Sequence, residues 1–560
     1  MPEYLSPGVY VEEVDRGPKP IEGVGTAMAV FCGFSEKAQL AETVDGEVLT
    51  RDLLGKPQLV TNWSQYTERF GGFVGGAYMP LSVYGYFLNG GTRCYVVSVK
   101  TIPKAQAALL NSAGQPQLLV RARQAGFDGL KFRVRVDVAE LPPPPPAKKA
   151  TKKEEKPEEP PAGSPPAAPA TGGDGASLPP FTLTVEREKI SGGWLVKEVV
   201  RDISLQELAD EAGKKTVAVA YKDNKMPQLV ELVLPEAALP LAELWPRAQE
   251  QSLKIEANLL APPGPSDFQG NIEQRTGIEG LEELDDATML VVPDLMSPMP
   301  GQKSVDLNTI KAVQTMMIAH CEKMHDRVAI LDAPPGLSPQ QVKKWRMDIA
   351  GFDSSYAAMY YPWIEISDPV TNRPKLVPPS GHIAGIWARS DNTRGVHKAP
   401  ANEVVRGATS LAHNCTKGEQ DTLNPNGVNC IRAFPGMGIK VWGARTLSNN
   451  PSWRYINVRR LFNFVEKSIE RGTQWVVFEP NDPFLWGRVS RDVTAFLTTV
   501  WGSGALFGIS PGEAFFVKCD AETNPPESRD LGRLIIEIGI APVKPAEFVI
   551  FRISQWAAGA

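Results

Sequence analysis

The sequence predicts a multidomain chain in which a discontinuous α/β core carries an inserted β-rich domain and leads into an α+β C-terminal part, with extended strand arms at both ends. Three observations lead there. Strand and helix patterns alternate from Asp286 to Ile366, as in a parallel sheet covered by helices. Apolar and charged residues alternate in "LKFRVRVDV" and "FTLTVEREK", on either side of a proline-rich tract, as in half-buried strands. From Trp453 onward, helical and strand patterns mix without strict βαβ order. At 560 residues the chain is also too long for one hydrophobic core.

The N-terminal arm, residues 1–22, holds the strand pattern Gly8 to Val14. Pro18 and Pro20 prevent a tight hairpin with the next strand, Ala27 to Phe34, so the arm strand has no local partner. Core residues 23–100 continue with a short helix begun at Pro80 and ended by Gly90-Gly91, then a strand from Cys94 to Val99. Residues 101–267 form the inserted unit; its tract 141–180, too poor in apolar residues to offset its ordering entropy, is expected to be a disordered loop. The core resumes over 268–400 with "DATMLVVPD", a helix near Leu307 to Lys323, "RVAILDAP", a helix near Pro339 to Ile349 and a strand from Ser355 to Ile366. The C-terminal domain, 401–540, holds a helix Trp453 to Arg471, a strand "QWVVFEP", a helix Leu485 to Trp501, "FFVKCD" and a strand Leu534 to Ile540. Residues 541–560 form the C-terminal arm, with a last strand Phe548 to Ser554 set off by Pro542 and Pro545.

Composition narrows the function classes. Hydrophobic residues make up 42% and charged residues 22%, as in a soluble globular protein, and no apolar run approaches the ~18 residues of a membrane span. No basic-then-apolar leader opens the chain, so cytoplasmic synthesis and folding are expected. The net charge of −5 gives no nucleic-acid signature. Six scattered cysteines without a CxxC pair read as reduced, mostly buried thiols.

Candidate chemistry is sparse. Asp332, His382 and Ser410 follow one another in the order of a subtilisin-type hydrolase. That template separates its His and Ser by a long run of sheet strands, whereas here they sit close together in sequence, so hydrolysis stands only as an alternative. The glycines of "GGFVGGAY" do not bridge a strand and a helix as a phosphate loop does, and no cofactor is expected. His320 and His325 do not share a helix face; His413 and Cys415, with Cys430 further on, do not make four ligands. No metal is expected either.

Five stretches, in this order, carry a resemblance: "PGVYVEEV", "FGGF…YGYFLNGGTRCYVV", "HKAPANE", "NPNGVNCIRAFPGMGIKVWGARTL" and "IAPVKPAEFVIFRISQ". Together they resemble the contractile tail sheath family, which includes phage tail sheaths and the sheaths of extracellular contractile injection systems. The resemblance implies a central domain with a subtilisin-like fold that is not a protease. It implies a homo-oligomer of hexameric rings stacked helically around an inner tube protein, flanked by baseplate and terminal cap proteins, with no nucleic acid and no direct membrane insertion. Assembly would be cytoplasmic, in a phage tail or a phage-tail-like particle released from the cell. A static tube or capsid component is the remaining structural alternative. The proline-rich tract lies outside the family core, and a chain with both halves fused is unlike the two-chain sheaths of type VI secretion.

The resemblance further implies that the arms add strands to a sheet on a neighbouring subunit, which assigns Val9, Tyr10, Val11, Val14, Phe548, Ile550, Arg552 and Ile553 to inter-subunit ladders. Extended, Asp15 to Glu22 reaches about 26 to 29 Å at ~3.3 to 3.6 Å per residue, enough to bridge protomers. On the helix Trp453 to Arg471, helical periodicity puts Arg460, Lys467 and Arg471 opposite the apolar stripe Val458, Leu461, Phe462, Val465 and Ile469. The resemblance makes that basic stripe a candidate attachment surface for the inner tube.

Overall fold

The computed structural model describes residues 20–44, 47–138, 179–189, 191–209, 215–235, 239–298, 302 and 304–552. The chain divides into two compact units: one takes the chain up to Ile102 and again from Leu260 onward, the other is Pro103–Leu259. The arm residues Val9, Tyr10, Val11, Val14 and Ile553 and most of the tract 141–180 lie outside the described residues.

The larger unit is built on a nine-stranded sheet. In chain order its strands are β1 (Ala29–Ser35), β2 (Gln58–Val60), β3 (Cys94–Thr101), β4 (Met289–Val291), β5 (Val328–Asp332), β6 (Ala357–Tyr361), β7 (Glu403–Val404), β8 (Val428–Phe434) and β9 (Gly438–Val441). Their order across the sheet is β7-β9-β8-β6-β5-β4-β1-β3-β2. The pairs from β3 to β8 are all parallel, and β2, β9 and β7 close the margins antiparallel. Central strands such as "VAILD" are buried at every position, because helices cover both faces of a parallel sheet and leave no polar side to alternate with. Helices Met79–Leu88 and Ser380–Arg394 pack face to face on it. Gly381 and Gly385 make that approach possible, since a Cβ on either would fall 2.5 Å from the backbone of Ser82 or Tyr86.

Several expected boundaries shift. The stretch Ser355 to Ile366 is not one strand: a cis Tyr361–Pro362 bond separates β6 from Ile364–Ser367, which joins a small antiparallel sheet. The expected strand "QWVVFEP" is a 3₁₀ turn, Gln474–Val476, followed by exposed Val477 and Phe478. Its run of β-formers finds no ladder, and propensity alone does not make a strand. Strands β7 to β9 belong to the core sheet, so the core extends past the expected limit at residue 400.

In the smaller unit, the strands Phe132–Val138 and Phe181–Glu188 pair antiparallel from Phe132↔Arg187 to Val138↔Phe181. The proline-rich tract therefore leaves and re-enters at one end of a single hairpin. No helix among the described residues is long and apolar enough to cross a membrane.

Candidate functional site

The C-terminal part has its own apolar core. Leu461 and Val465 of the helix Ile456–Gly472 meet Trp486, Val489, Val493, Phe496 and Leu497 of the helix Pro483–Gly502. Against this core lies a ladder of only two strands, Phe515–Lys518 and Glu537–Ile540, in the register Phe515↔Ile540 to Lys518↔Glu537. At one end, Phe507 N–H donates to the Ala541 carbonyl at 2.8 Å and Val543 N–H to that of Ala505 at 3.2 Å. Elsewhere, among the described residues, the outer edges of both strands meet no further strand. Phe516 on the ladder and Phe507 and Ile509 beside it are exposed, Ile509 at 93%. A two-stranded ladder is marginal in water, and exposed apolar residues beside open strand edges leave a surface on which further strands can pair.

The segment that leaves this surface is fastened at one residue. Glu547 receives Arg445 Nη2 at 2.5 Å and Nε at 2.9 Å, Asn424 Nδ2 at 2.7 Å and the Tyr455 hydroxyl at 3.1 Å. These donors hold the Glu547 carboxyl below its ordinary range against the opposing effect of burial. Beyond it, Phe548, Ile550 and Arg552 belong to no strand and lie exposed. Phe548 to Ser554 was expected to be a strand. Its composition is that of one, but residues 548–552 have no strand neighbour among the described residues to satisfy their backbone donors, and 553–554 lie outside them. The Glu547 anchor escapes sequence reading, since nothing local links it to Arg445 about a hundred residues earlier.

The expected basic stripe does not form. Arg460 is buried, its guanidinium 2.8 and 2.6 Å from the Asp391 carboxylate and stacked on Trp387. Lys467 is 15% exposed and lies between Asp326 and Glu470. Only Arg471 stays at the surface, donating to the Asp285 carbonyl at 2.8 Å. Periodicity placed the three correctly on one face. That face packs on Thr26 and the segment Asp285–Thr288 instead of pointing to solvent.

The candidate triad does not assemble either. Asp332 accepts from the Ser380 N–H at 2.9 Å and pairs with its hydroxyl at 2.5 Å, so Ser380 takes the place the template gives to His382. His382 is buried, its ring fills the space beside Gly85, and burial lowers its pKa to about 4. Ser410 sits in a short antiparallel ladder opposite Glu365. Burial raises the Asp332 carboxyl to about 7. A second buried carboxyl, Asp294, accepts from the N–H groups of Phe34, Tyr78 and Met79 and is raised to about 6 by burial. It ties β1 to the start of the helix Met79–Leu88, a structural task that leaves no signal in sequence.

Fold and surface together define an α/β structural body whose C-terminal ladder is open to further strands. Residues 288–447 match the family model of the phage tail sheath protein central domain, and residues 448–555 that of the phage tail sheath C-terminal domain. The chain is 24% identical over 314 residues to a tail sheath protein of Vibrio phage KVP40, covering 51% of this chain and 46% of that protein. It is 23% identical to the tail sheath protein of Escherichia phage P2, covering 62% and 78%. The chain thus spans about half the length of the first of these curated relatives. In fold it is similar to the PVC sheath complex of an extracellular contractile injection system in the contracted state, with a TM-score of 0.54, 22% identity and 99% of both chains covered. The helical sheath of the anti-feeding prophage in the contracted state gives the same score at 22% identity, covering 98% of this chain and 99% of that one. The two matched stretches, residues 288–447 and 448–555, place this part of the chain with the phage tail sheath proteins.

Proposed function

We propose that the chain is the sheath subunit of a contractile injection machine. Subunits polymerise as stacked hexameric rings around an inner tube, between a baseplate and a terminal cap, and contract to drive the tube through a target envelope. The observation that carries the reading is the unequal C-terminal surface: a two-stranded ladder with open edges, next to an apolar segment, residues 548–552, that leaves the body beyond Glu547 with no strand partner among the described residues. One chain thus bears an acceptor and a donor of strands. Such a contact between different surfaces of identical subunits does not close on itself and propagates into a helical polymer. The central sheet's likeness to subtilisin belongs to the same reading, as does the absence of a catalytic step. Assembly in the cytoplasm, within a phage tail or phage-tail-like particle, follows from it. Contraction draws its free energy from interfaces better packed afterwards, with the arms holding neighbours while bodies rotate.

The test is deletion. Without Met1 to Arg16, or without residues 548–560, the chain remains a folded monomer and no longer forms long hollow cylinders under the electron microscope. Cylinders of normal length from both truncations overturn the reading.

A further inference from the structure

The stretch "HNCTKGE", His413 to Glu419, joins the edge strand Ala408–Leu411 to the short helix Lys417–Leu423. In sequence it offers a His, a Cys and a Glu. The fold brings these together and sets Cys430 beside them. Glu419 is drawn back by a capping box, its Oε2 accepting from the Thr416 N–H at 2.8 Å, and both its carboxylate oxygens lie 3.2 Å from His413 Nε2. One ligand atom each from His413, Cys415 and Glu419 lies within 4.8 Å of the others. Cys430, from β8, lies next to Cys415 but is not one of the three grouped ligands. Both cysteines are buried, His413 and Glu419 are partly exposed, and the His413 ring is braced by Tyr361 with ring centroids 6.2 Å apart.

We propose that His413, Cys415 and Glu419 hold a structural Zn2+ ion, with the thiol of Cys430 turning in from beside Cys415 as the fourth ligand. Two sulfurs, one imidazole and one carboxylate are a donor set that suits a tetrahedral, borderline-soft divalent ion. Buried sulfurs with a partly open imidazole and carboxylate allow entry from one side. The neighbouring groups fit: the Thr416 capping bonds orient the carboxylate as outer-shell partners orient ligands in metal sites. On binding, both thiols release their protons to solvent and the ion takes the resulting thiolates. It would pin the loop after Ala408–Leu411 to β8, a strand of the central sheet. The site is independent of the sheath reading, since it lies within one chain and needs no polymer.

The experiment uses the full chain, reduced and freed of metal by chelation, titrated first with Co2+ and then with Zn2+. Expected is one Co2+ per chain, with thiolate-to-metal charge transfer and tetrahedral d–d absorption that Zn2+ abolishes. Cys415→Ser removes the charge-transfer band, and Cys430→Ser weakens it and lowers Zn2+ affinity by at least the ~10-fold that loss of even an outer-shell partner causes. Glu419→Gln keeps the capping box, which accepts Gln as well as Glu, so its loss of affinity reports ligation and not misfolding. Three results overturn the proposal: no thiolate band in the parent chain, equal Zn2+ affinity in parent and Cys415→Ser, or a Cys415–Cys430 disulfide that forms equally fast with Zn2+ present.

Discussion

The nine-stranded sheet and the two-stranded C-terminal ladder sit in one compact unit and answer the same demand in opposite ways. Each inner strand of the large sheet, from β9 to β3, is hydrogen-bonded on both sides by the same chain, and its core residues are buried. The ladder Phe515–Lys518/Glu537–Ile540 stops at two strands and leaves Phe516 exposed beside Phe507 and Ile509. The first region is completed by folding, whereas the second, on the proposed reading, is left for a neighbour to complete. Substitutions in the first should therefore be read in the stability of the monomer, and those in the second in the length of the polymer.

The largest monomer effect is expected at Ile330, the fully buried centre of β5. Ile330→Ala should cost about 3 kcal/mol through lost burial and the cavity left behind, measured by urea unfolding. A cost under about 1 kcal/mol would show that the central sheet is looser than its burial indicates. Next comes Asp294→Asn, which keeps an oxygen for some of the backbone N–H groups of Phe34, Tyr78 and Met79 but turns an amide donor toward at least one of them. It should cost about 2 to 3 kcal/mol, the range for stranding buried donors. Asp332→Asn should cost less than about 1 kcal/mol, because the amide can donate to the Ser380 hydroxyl.

The same two carboxyls set a pH dependence. Their folded pKa values, about 6 and about 7, lie above the ordinary carboxyl value of 3.8. Between 3.8 and those values the folded state holds protons that the unfolded state has released, so stability falls as pH rises through that window. Their contribution to monomer stability is greater near pH 5 than near pH 8. Asp332→Asn should flatten the slope; an unchanged slope in that variant removes Asp332 as its source.

Glu547→Ala bridges the two regions. It leaves Arg445 mostly buried and unpaired, at a cost of about 2 kcal/mol, below the 3 to 5 kcal/mol of a wholly buried pair. It should also shorten the polymers, because the segment after it no longer leaves from a fixed point; full-length cylinders from this variant would show that the anchor does not set the arm. Phe516→Ser marks the smallest effect on the monomer, within about 0.5 kcal/mol as for other exposed positions, with cylinder formation reduced. If Phe516→Ser destabilises the monomer as much as Ile330→Ala does, the two regions are not different in kind.

The sequence by itself determined the strand–helix alternation of the core, the hairpin that brackets the proline-rich tract and the helices of the C-terminal part. These rest on short-range periodicity: fully apolar runs for buried parallel strands, alternation for half-buried ones, apolar stripes for helices. Family resemblance was also legible, because it lies in linear stretches such as "NPNGVNCIRAFPGMGIKVWGARTL". The tertiary structure decided whatever depends on partners distant in the chain. Arg460 falls on the predicted face, yet Asp391 and Trp387 make that face an interior one. "QWVVFEP" and residues 548–552 have strand composition, yet neither meets a ladder among the described residues. Asp332 goes to Ser380 and not to His382, and Glu419 joins His413 and Cys415 only once the capping box folds it back. Periodicity records which side of an element a residue occupies; what that side faces is settled only by long-range packing, where burial and pairing fix the cost of each charge and each open edge.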